Sequence, residues 1–373
     1  MARLLAIEWD AREIRIAVAR RRGKEADFEQ AFAIELPTRE TVPDEHAAPA
    51  SSDADIGKIL AKELAARGLA RSETLVAVGR TSIELRVLSV PPAPPEDLPD
   101  MVRFQALKQF STLGDDWPLD YVPLDNAPDG AINVLAATIS PEMVKQLRQP
   151  CEAAHVDVRH LVLRPFAAAA LWRRRDPGSR CSLMVDLLTD EVDLSVLVDG
   201  QVAFLRTVRL SSSAGGEDQV RAMLGEIRRT IAAAQNQLTG RRVERIILCD
   251  DGSDHALLKT QLEKQLELDV EYFDPFSALS LVDDLRARRP DHPGRFAPLL
   301  GMLADEAAGA PHAIDFLHPR KRPVPVSYRR RNSLVGAVAA SVVLGVAGLI
   351  WFQYNDLDVR AAQLEVRSME SIA

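Results

Sequence analysis

Few residue types in this chain have both the chemistry and the spacing that a reaction needs. The stretch Ser211-Ser212-Ser213-Ala214-Gly215-Gly216 precedes a helical pattern and could offer hydroxyls and backbone N–H groups to an anion at a helix N-terminus. A flexible lead-in to that helix is the preferred reading. No G-x-S-x-G, H-E-x-x-H or G-x-x-x-x-G-K-[ST] pattern occurs, which removes nucleophile-elbow, zincin and P-loop chemistry. Cys151, Cys181 and Cys249 are far apart and form no CxxC pair, so metal binding and disulfides are not expected and a reducing compartment fits. The seven histidines are scattered without zinc-like spacing. No metal site is expected, and His160 and His255 read as surface or packing residues.

The elements that must position any site form a pattern used twice. Arg3 to Ile7, Glu13 to Ala19 and Phe28 to Leu36 read as a three-strand meander, with Ile14, Ile16 and Val18 on one face. Thr38 to Asp53 reads as a loop, and Ile56, Ile59, Leu60 and Leu64 mark a helix ending at Gly68. Strands at 74–78 and 83–88, a helix over 96–110, strands at 120–124 and 131–138, a helix over 141–155, a strand at 158–163 and a helix over 165–173 follow. A second meander (182–185, 192–198, 201–208) opens the second half, with a long amphipathic helix over 217–238. Then come a strand over 243–249, a helix over 256–266, a strand over 270–272, a polar loop over 284–298 and a helix over 297–307. The repeat implies a duplicated α/β fold with a cleft between its halves.

Charge narrows the partners. The net charge is −8, and six basic residues are concentrated at 320–331, so the body is acidic and nucleic acid is not expected as a partner. Residues 333–352 carry no charge. Roughly 20 helical residues cover the ~30 Å bilayer core. With Arg320, Lys321, Arg322, Arg329, Arg330 and Arg331 before it and Asp356 and Asp358 behind it, the span is expected to hold the N-terminal body in the cytoplasm. The lipid bilayer is thus an expected partner. Ala337, Ser341, Gly345 and Gly348 share one face of this helix, and such small residues allow close helix pairing, in a homodimer or with another single-span protein.

In their order and spacing, several stretches resemble one branch of the actin-like ATPases, that of PilM, FtsA and GspL. Val185-Asp186, the run from Val192 to Gly200 and Phe204-Leu205-Arg206 are similar to the PilM hairpin. So are Gly215-Gly216-Glu217 with Glu226-Ile227-Arg228-Arg229, Phe273-Asp274-Pro275-Phe276, and the hairpin from Val76 to Pro92. The resemblance implies a duplicated actin-like (ribonuclease H-like) fold with an extra PilM/FtsA-type subdomain, followed by one transmembrane helix. The expected layout is a cytoplasmic domain at 1–318, in two lobes of about 1–180 and 181–318. A basic linker at 319–332, the span at 333–352 and a short extracytoplasmic tail at 353–373, with a weak coiled-coil pattern, complete it. Ile314, Asp315, Phe316 and Leu317 look like the segment by which partners dock onto PilM. They read either as an intramolecular copy of that docking or as a plain linker.

The resemblance also says where a nucleotide would sit, and there the sequence departs from the family. The first phosphate turn, roughly D-x-G-x-x-x-(I/V)-K, reads Glu8-Trp9-Asp10-Ala11-Arg12-Glu13-Ile14-Arg15. Asp10 replaces the glycine and Arg15 the lysine. The second turn reads Asp186-Leu187-Leu188, and the adenosine-side glycine pair reads Cys249-Asp250-Asp251-Gly252. Lost glycines close the approach of N–H groups to phosphate, and added carboxylates repel it. Asp186 and Asp193 are expected to be turn or strand-end residues satisfied by backbone N–H groups. The resemblance, corrected by these losses, implies a pseudo-ATPase with no cofactor and no enzyme activity. It would be a scaffold in the bacterial inner membrane for a type IV pilus or type II secretion-like assembly, with PilN/PilO-like proteins and an assembly ATPase as partners. The alternatives are a working ATPase that uses ATP and magnesium, for which Asp186 would be needed, and a divisome-like membrane tether.

Overall fold

Two meanders, each followed by parallel strands, build two large sheets. The computed structural model describes residues 3–37, 53–70, 72–126, 130–178, 180–209, 216–238, 241–252, 254–277, 279–323 and 338–355. In the first half, β1 (Arg3–Trp9), β2 (Glu13–Arg22) and β3 (Glu25–Glu35) pair antiparallel. α1 (Asp53–Ala66) leads to β4 (Glu73–Val78), which lies parallel to β1. An inserted subdomain follows: β5 (Glu84–Val90), α2 (Leu98–Gln109), β6 (Leu119–Asn126) and β7 (Ile132–Thr138), a three-stranded sheet ordered β5-β7-β6. It has its own small core of Leu88, Val102, Phe110, Tyr121 and Val134. The chain returns through α3 (Pro141–Ala153) to β8 (Val158–Leu163), parallel to β4, and then α4 (Arg164–Arg175).

The second half repeats the plan. β9 (Ser182–Leu187), β10 (Glu191–Val198) and β11 (Gln201–Arg209) are an antiparallel meander. α5 (Gly216–Gln237), β12 (Arg245–Leu248), α6 (Ala256–Leu266) and β13 (Asp269–Tyr272) complete a sheet ordered β11-β10-β9-β12-β13. The first sheet runs β14-β3-β2-β1-β4-β8. Without β14 the two orders superimpose strand for strand, which is the duplication read from the sequence.

Residues 280–320 differ from the sequence reading, which gave them to the second lobe. β14 (Ser280–Leu281) pairs with β3, so the chain has crossed back to the first sheet. The expected loop at 284–298 contains α7 (Asp283–Ala287) and a 3-10 turn, Pro293–Phe296, because Leu285 and Phe296 bury their side chains. α8 (Ala297–Ala308) is buried along most of its length against α4, β1 and β2. A helix apolar on all sides belongs inside a core. Gly301 permits the α4–α8 contact: a Cβ there would lie 2.0 Å from the Ala167 carbonyl oxygen.

Beyond α8 the chain forms a strap on the open edge of β8. The Leu163 N–H donates to the Ile314 carbonyl at 3.2 Å, and the Phe316 N–H to the Leu161 carbonyl at 2.9 Å. Ile314 and Phe316 are buried. An uncovered edge strand invites unwanted pairing, and the strap covers this one.

Residues 1–322 form one compact unit and 323–373 a second. In the second unit, Val338–Asn355 is a helix of mean hydropathy 1.5, with none of its surface buried. It is long and apolar enough to cross a membrane. Of the small residues on its expected face, Ser341, Gly345 and Gly348 lie on this helix, while Ala337 and the tail at 356–373 fall outside the described residues.

Candidate functional site: a cleft floor bridged by arginines

Where the two lobes meet, the sheets present four cross-strand partners. Glu8 on β1 faces Arg15 on β2. At the corresponding register of the second sheet, Asp186 on β9 faces Asp193 on β10. All four are at most 2 % exposed. The first half therefore pairs opposite charges, and the second half pairs like charges, which repel when directly opposed.

A fifth residue completes the group. Arg164, the first residue of α4, donates from Nη1 to Glu8 Oε1 at 2.7 Å and from Nε to Asp193 Oδ2 at 2.7 Å. Its Nη2 donates to Glu191 Oε2 at 3.2 Å. One guanidinium thus joins carboxylates of both lobes, an arrangement its planar fork suits. Burial opposes the Arg164 charge, but Asp193 and Glu8 outweigh it and hold its pKa well above the ordinary value. Thr207 donates to the other Asp193 oxygen.

Arg15 makes a second bridge. Its Nη1 donates to Asp10 Oδ2 and Thr189 Oγ1, both at 3.0 Å, and also to Glu13. Its Nη2 lies 3.3 Å from Glu8 Oε2. Thr189 donates to Glu13 Oε1 at 2.8 Å, and Arg12 pairs with Asp190 at 3.0 Å. These contacts tie the β1–β2 turn to the β9–β10 turn. Asp10 closes its own turn, accepting from the Arg12 and Glu13 N–H groups at 2.8 and 3.0 Å. Burial works against its charge, but Arg15 and these N–H groups hold its pKa below the usual value.

The expectation for Asp186 and Asp193 needs correction. Neither is satisfied by backbone N–H groups. Asp193 lies inside β10 and takes its bonds from Arg164 and Thr207. Neither Asp186 oxygen has a hydrogen-bond partner. Burial, and next the Asp193 charge, push the Asp186 carboxyl up to about 8. It is therefore protonated at neutral pH, which resolves the like-charge pair without a second cation.

The other described sequence candidates make none of these bridging bonds. Gly252 sits at a φ of +95° after β12, where its neighbour Asp250 accepts from the His255 N–H at 3.0 Å. Gly216 begins α5, and Gly215 lies outside the described residues. The segment Ile314, Asp315, Phe316 and Leu317 forms the strap on β8. There the Asp315 N–H donates to Asp120 Oδ2 at 3.0 Å, and Asp315 Oδ1 accepts from the N–H groups of Leu161 at 3.1 Å and Leu317 at 3.0 Å. The linker is also tied down at its start, since Arg320 bonds Asp120 Oδ1 through its N–H and its Nη1 at 3.1 and 2.7 Å.

Sequence reasoning missed Arg164, Glu191, Asp120 and the meeting of His160 with His312 and His318. Arg164 stands between an apolar strand and an alanine-rich helix, where a buried cation leaves no local signature.

The sequence matches no family model and no curated relative. Its fold does match a chain of the PilM–PilN type IV pilus biogenesis complex, with a TM-score of 0.65 at 19 % identity, covering 82 % of this chain and 98 % of that one. The fold is PilM-like and actin-like. More distant matches are a Bacteroides thetaiotaomicron protein with actin-like ATPase fold and the cytoplasmic domain of EpsL, an inner membrane component of the type II secretion system of Vibrio cholerae. The first has a TM-score of 0.41 at 10 % identity and covers 76 % of this chain and 94 % of its own. The second has a TM-score of 0.40 at 11 % identity and covers 66 % and 82 %.

Proposed function

We propose that this chain is a membrane-anchored scaffold of a type IV pilus or type II secretion-like assembly. In this reading the PilM-like body lies in the bacterial cytoplasm and Val338–Asn355 is a single span of the inner membrane. The body links an assembly ATPase to PilN/PilO-like membrane subunits. The matched chain comes from a complex with PilN, which supports a partner of that kind here. Ser341, Gly345 and Gly348, without a large side chain between them and a second helix, would serve pairing within the membrane.

The observation that carries the pseudo-ATPase part of the reading is Arg164. It bridges Glu8, in the first phosphate turn, and Asp193, the cross-strand neighbour of Asp186 in the second. A magnesium ion drawn to Glu8 and Asp186 would have to enter beside this buried guanidinium, and parting Arg164 from Glu8 would cost about 3–5 kcal/mol. Titration calorimetry of the full chain in detergent with ATP·Mg²⁺ tests this. No saturable heat is expected, and micromolar binding would restore the ATPase reading. Co-expression with PilN- and PilO-like proteins from the same bacterium tests the scaffold. Stable co-purification with at least one is expected, and its failure with all of them counts against the assignment.

A further inference from the structure

His160 is far in sequence from His312 and His318 but meets them where the chain leaves the first unit. Ring centroids of His160 and His312 are 5.0 Å apart, and those of His160 and His318 are 4.9 Å apart. Glu306, near the end of α8, reaches into the group. Its Oε2 lies 3.3 Å from His160 Nε2 and 3.5 Å from His312 Nε2. Ligands held about 2.0–2.1 Å from a tetrahedral zinc ion stand roughly 3.3–3.4 Å from one another. The two spacings are those of atoms sharing one cation.

We propose that His160, Glu306 and His312 bind a divalent transition metal ion, with zinc the best match to two imidazoles and one carboxylate. Three features support this beyond the clustering itself. His312 is only 8 % exposed, and its buried Nε2 has no hydrogen bond beyond the long 3.5 Å contact with Glu306 Oε2. A buried polar atom is normally satisfied, and a metal would satisfy this one. The second nitrogen of His160, Nδ1, lies 2.6 Å from Asp315 Oδ2. A carboxylate behind a histidine in this way fixes the tautomer that leaves Nε2 free to ligate. Arg21 donates to Glu306 Oε1 at 2.7 Å, which leaves Oε2 as the single ligand atom of that carboxylate. The Arg21 charge lowers the affinity but does not block the site.

His160 and Glu306 also line a cavity of about 200 Å³ with Glu73, Leu75, Arg159 and His318. It leaves room for water as a fourth ligand. The ion would fasten three elements together: β8 through His160, α8 through Glu306 and the strap through His312.

The test uses the tag-free full chain in detergent, stripped with chelator and titrated with Zn²⁺ against a chromophoric indicator. One ion per chain is expected, Co²⁺ should give visible bands of four- or five-coordinate geometry, and Zn²⁺ should raise Tm. His312→Asn and Glu306→Gln, each checked for an unchanged circular dichroism spectrum without metal, should abolish the stoichiometric binding and the Tm shift. Asp315→Asn should weaken binding about 10- to 100-fold. His255→Ala, at a histidine that pairs with Asp250 outside this cluster, should leave it unchanged. Absence of a bound ion in the parent chain overturns the proposal, as does undiminished binding by both His312→Asn and Glu306→Gln. Loss with His318→Ala while His312→Asn still binds would also overturn the ligand assignment.

Discussion

Asp186 and Asp193 face each other across β9 and β10, and of these two Arg164 bonds Asp193 alone. Asp186 is left neutral, its carboxyl pushed up to about 8 by burial and by Asp193. The sign follows from linkage. In the unfolded chain Asp186 loses its proton near the ordinary value of 3.8, while the folded chain holds it until about pH 8. Its contribution to stability is full below pH 3.8 and is lost as pH rises through about 8. Asp186→Asn mimics the protonated acid at every pH. The variant should match the parent near pH 3–4 and exceed it progressively up to about pH 8, by a few kcal/mol at most. Denaturant melts of parent and variant across pH 4–9 measure the difference. A difference independent of pH would mean that Asp186 is charged in the folded state.

Arg164 is the residue on which the closed cleft depends. Arg164→Met keeps an unbranched stem but leaves Asp193 buried without its cation and Glu8 with Arg15 alone. The expected loss is about 3–5 kcal/mol. Adding Asp193→Asn should recover part of it, because one uncompensated charge is then removed. The cycle of single and double variants, followed by chemical denaturation, gives the coupling. Additive losses would show that Arg164 acts through packing alone.

Much of the scaffold was legible because each meander carries its own pattern. Ile14, Ile16 and Val18 announced β2, and the amphipathic pattern over 217–238 announced α5, whose Leu224 and Ile227 are buried. The alternation understated the burial, however. Ala17 and Ala19 on the opposite face of β2 are also fully buried, since that sheet is covered on both sides. The 3-10 turn at Pro293–Phe296 was hidden by its polar neighbours. Gly294 approaches the Cys249 carbonyl there so closely that a Cβ would lie 1.9 Å from the oxygen. The departures at Asp10 and Leu188 could be read as losses of glycine. What replaced them could not, since Arg164 finds Glu8 across 156 residues and the His160–Asp315 contact spans 155. Pairings that distant are fixed by topology and leave no trace in local spacing.

Two glycines in helices should respond in opposite ways to alanine. Gly301 in α8 meets the backbone of α4, and a Cβ at 2.0 Å from the Ala167 oxygen forces the helices apart. Gly301→Ala should cost upward of about 3 kcal/mol. Gly225 in α5 has only the flexible Arg229 side chain nearby, at 3.8 Å. Gly225→Ala should stabilise by about 0.5–1 kcal/mol by restricting the unfolded chain and favouring the helix. Thermal melts of the two variants check both signs.

Asp120 is the clasp that holds the strap. It is 1 % exposed, and its two oxygens accept from the N–H groups of Asp315 and Arg320 and from the Arg320 guanidinium. Each such bond to a charged group contributes about 1.5–3 kcal/mol. Asp120→Ala removes all of them and leaves the strap its backbone bonds to β8, the Asp315 carboxylate's bond to the Leu161 N–H and the apolar contacts of Ile314 and Phe316. The strap should then open locally, before the body unfolds. Amide exchange at residues 313–322 should rise at least tenfold, with α8 as protected as before. Asp120→Asn, which keeps one acceptor oxygen, should fall between. If exchange rises equally in α8, the strap and that helix open as one unit, and Asp120 supports the body instead of latching its exit.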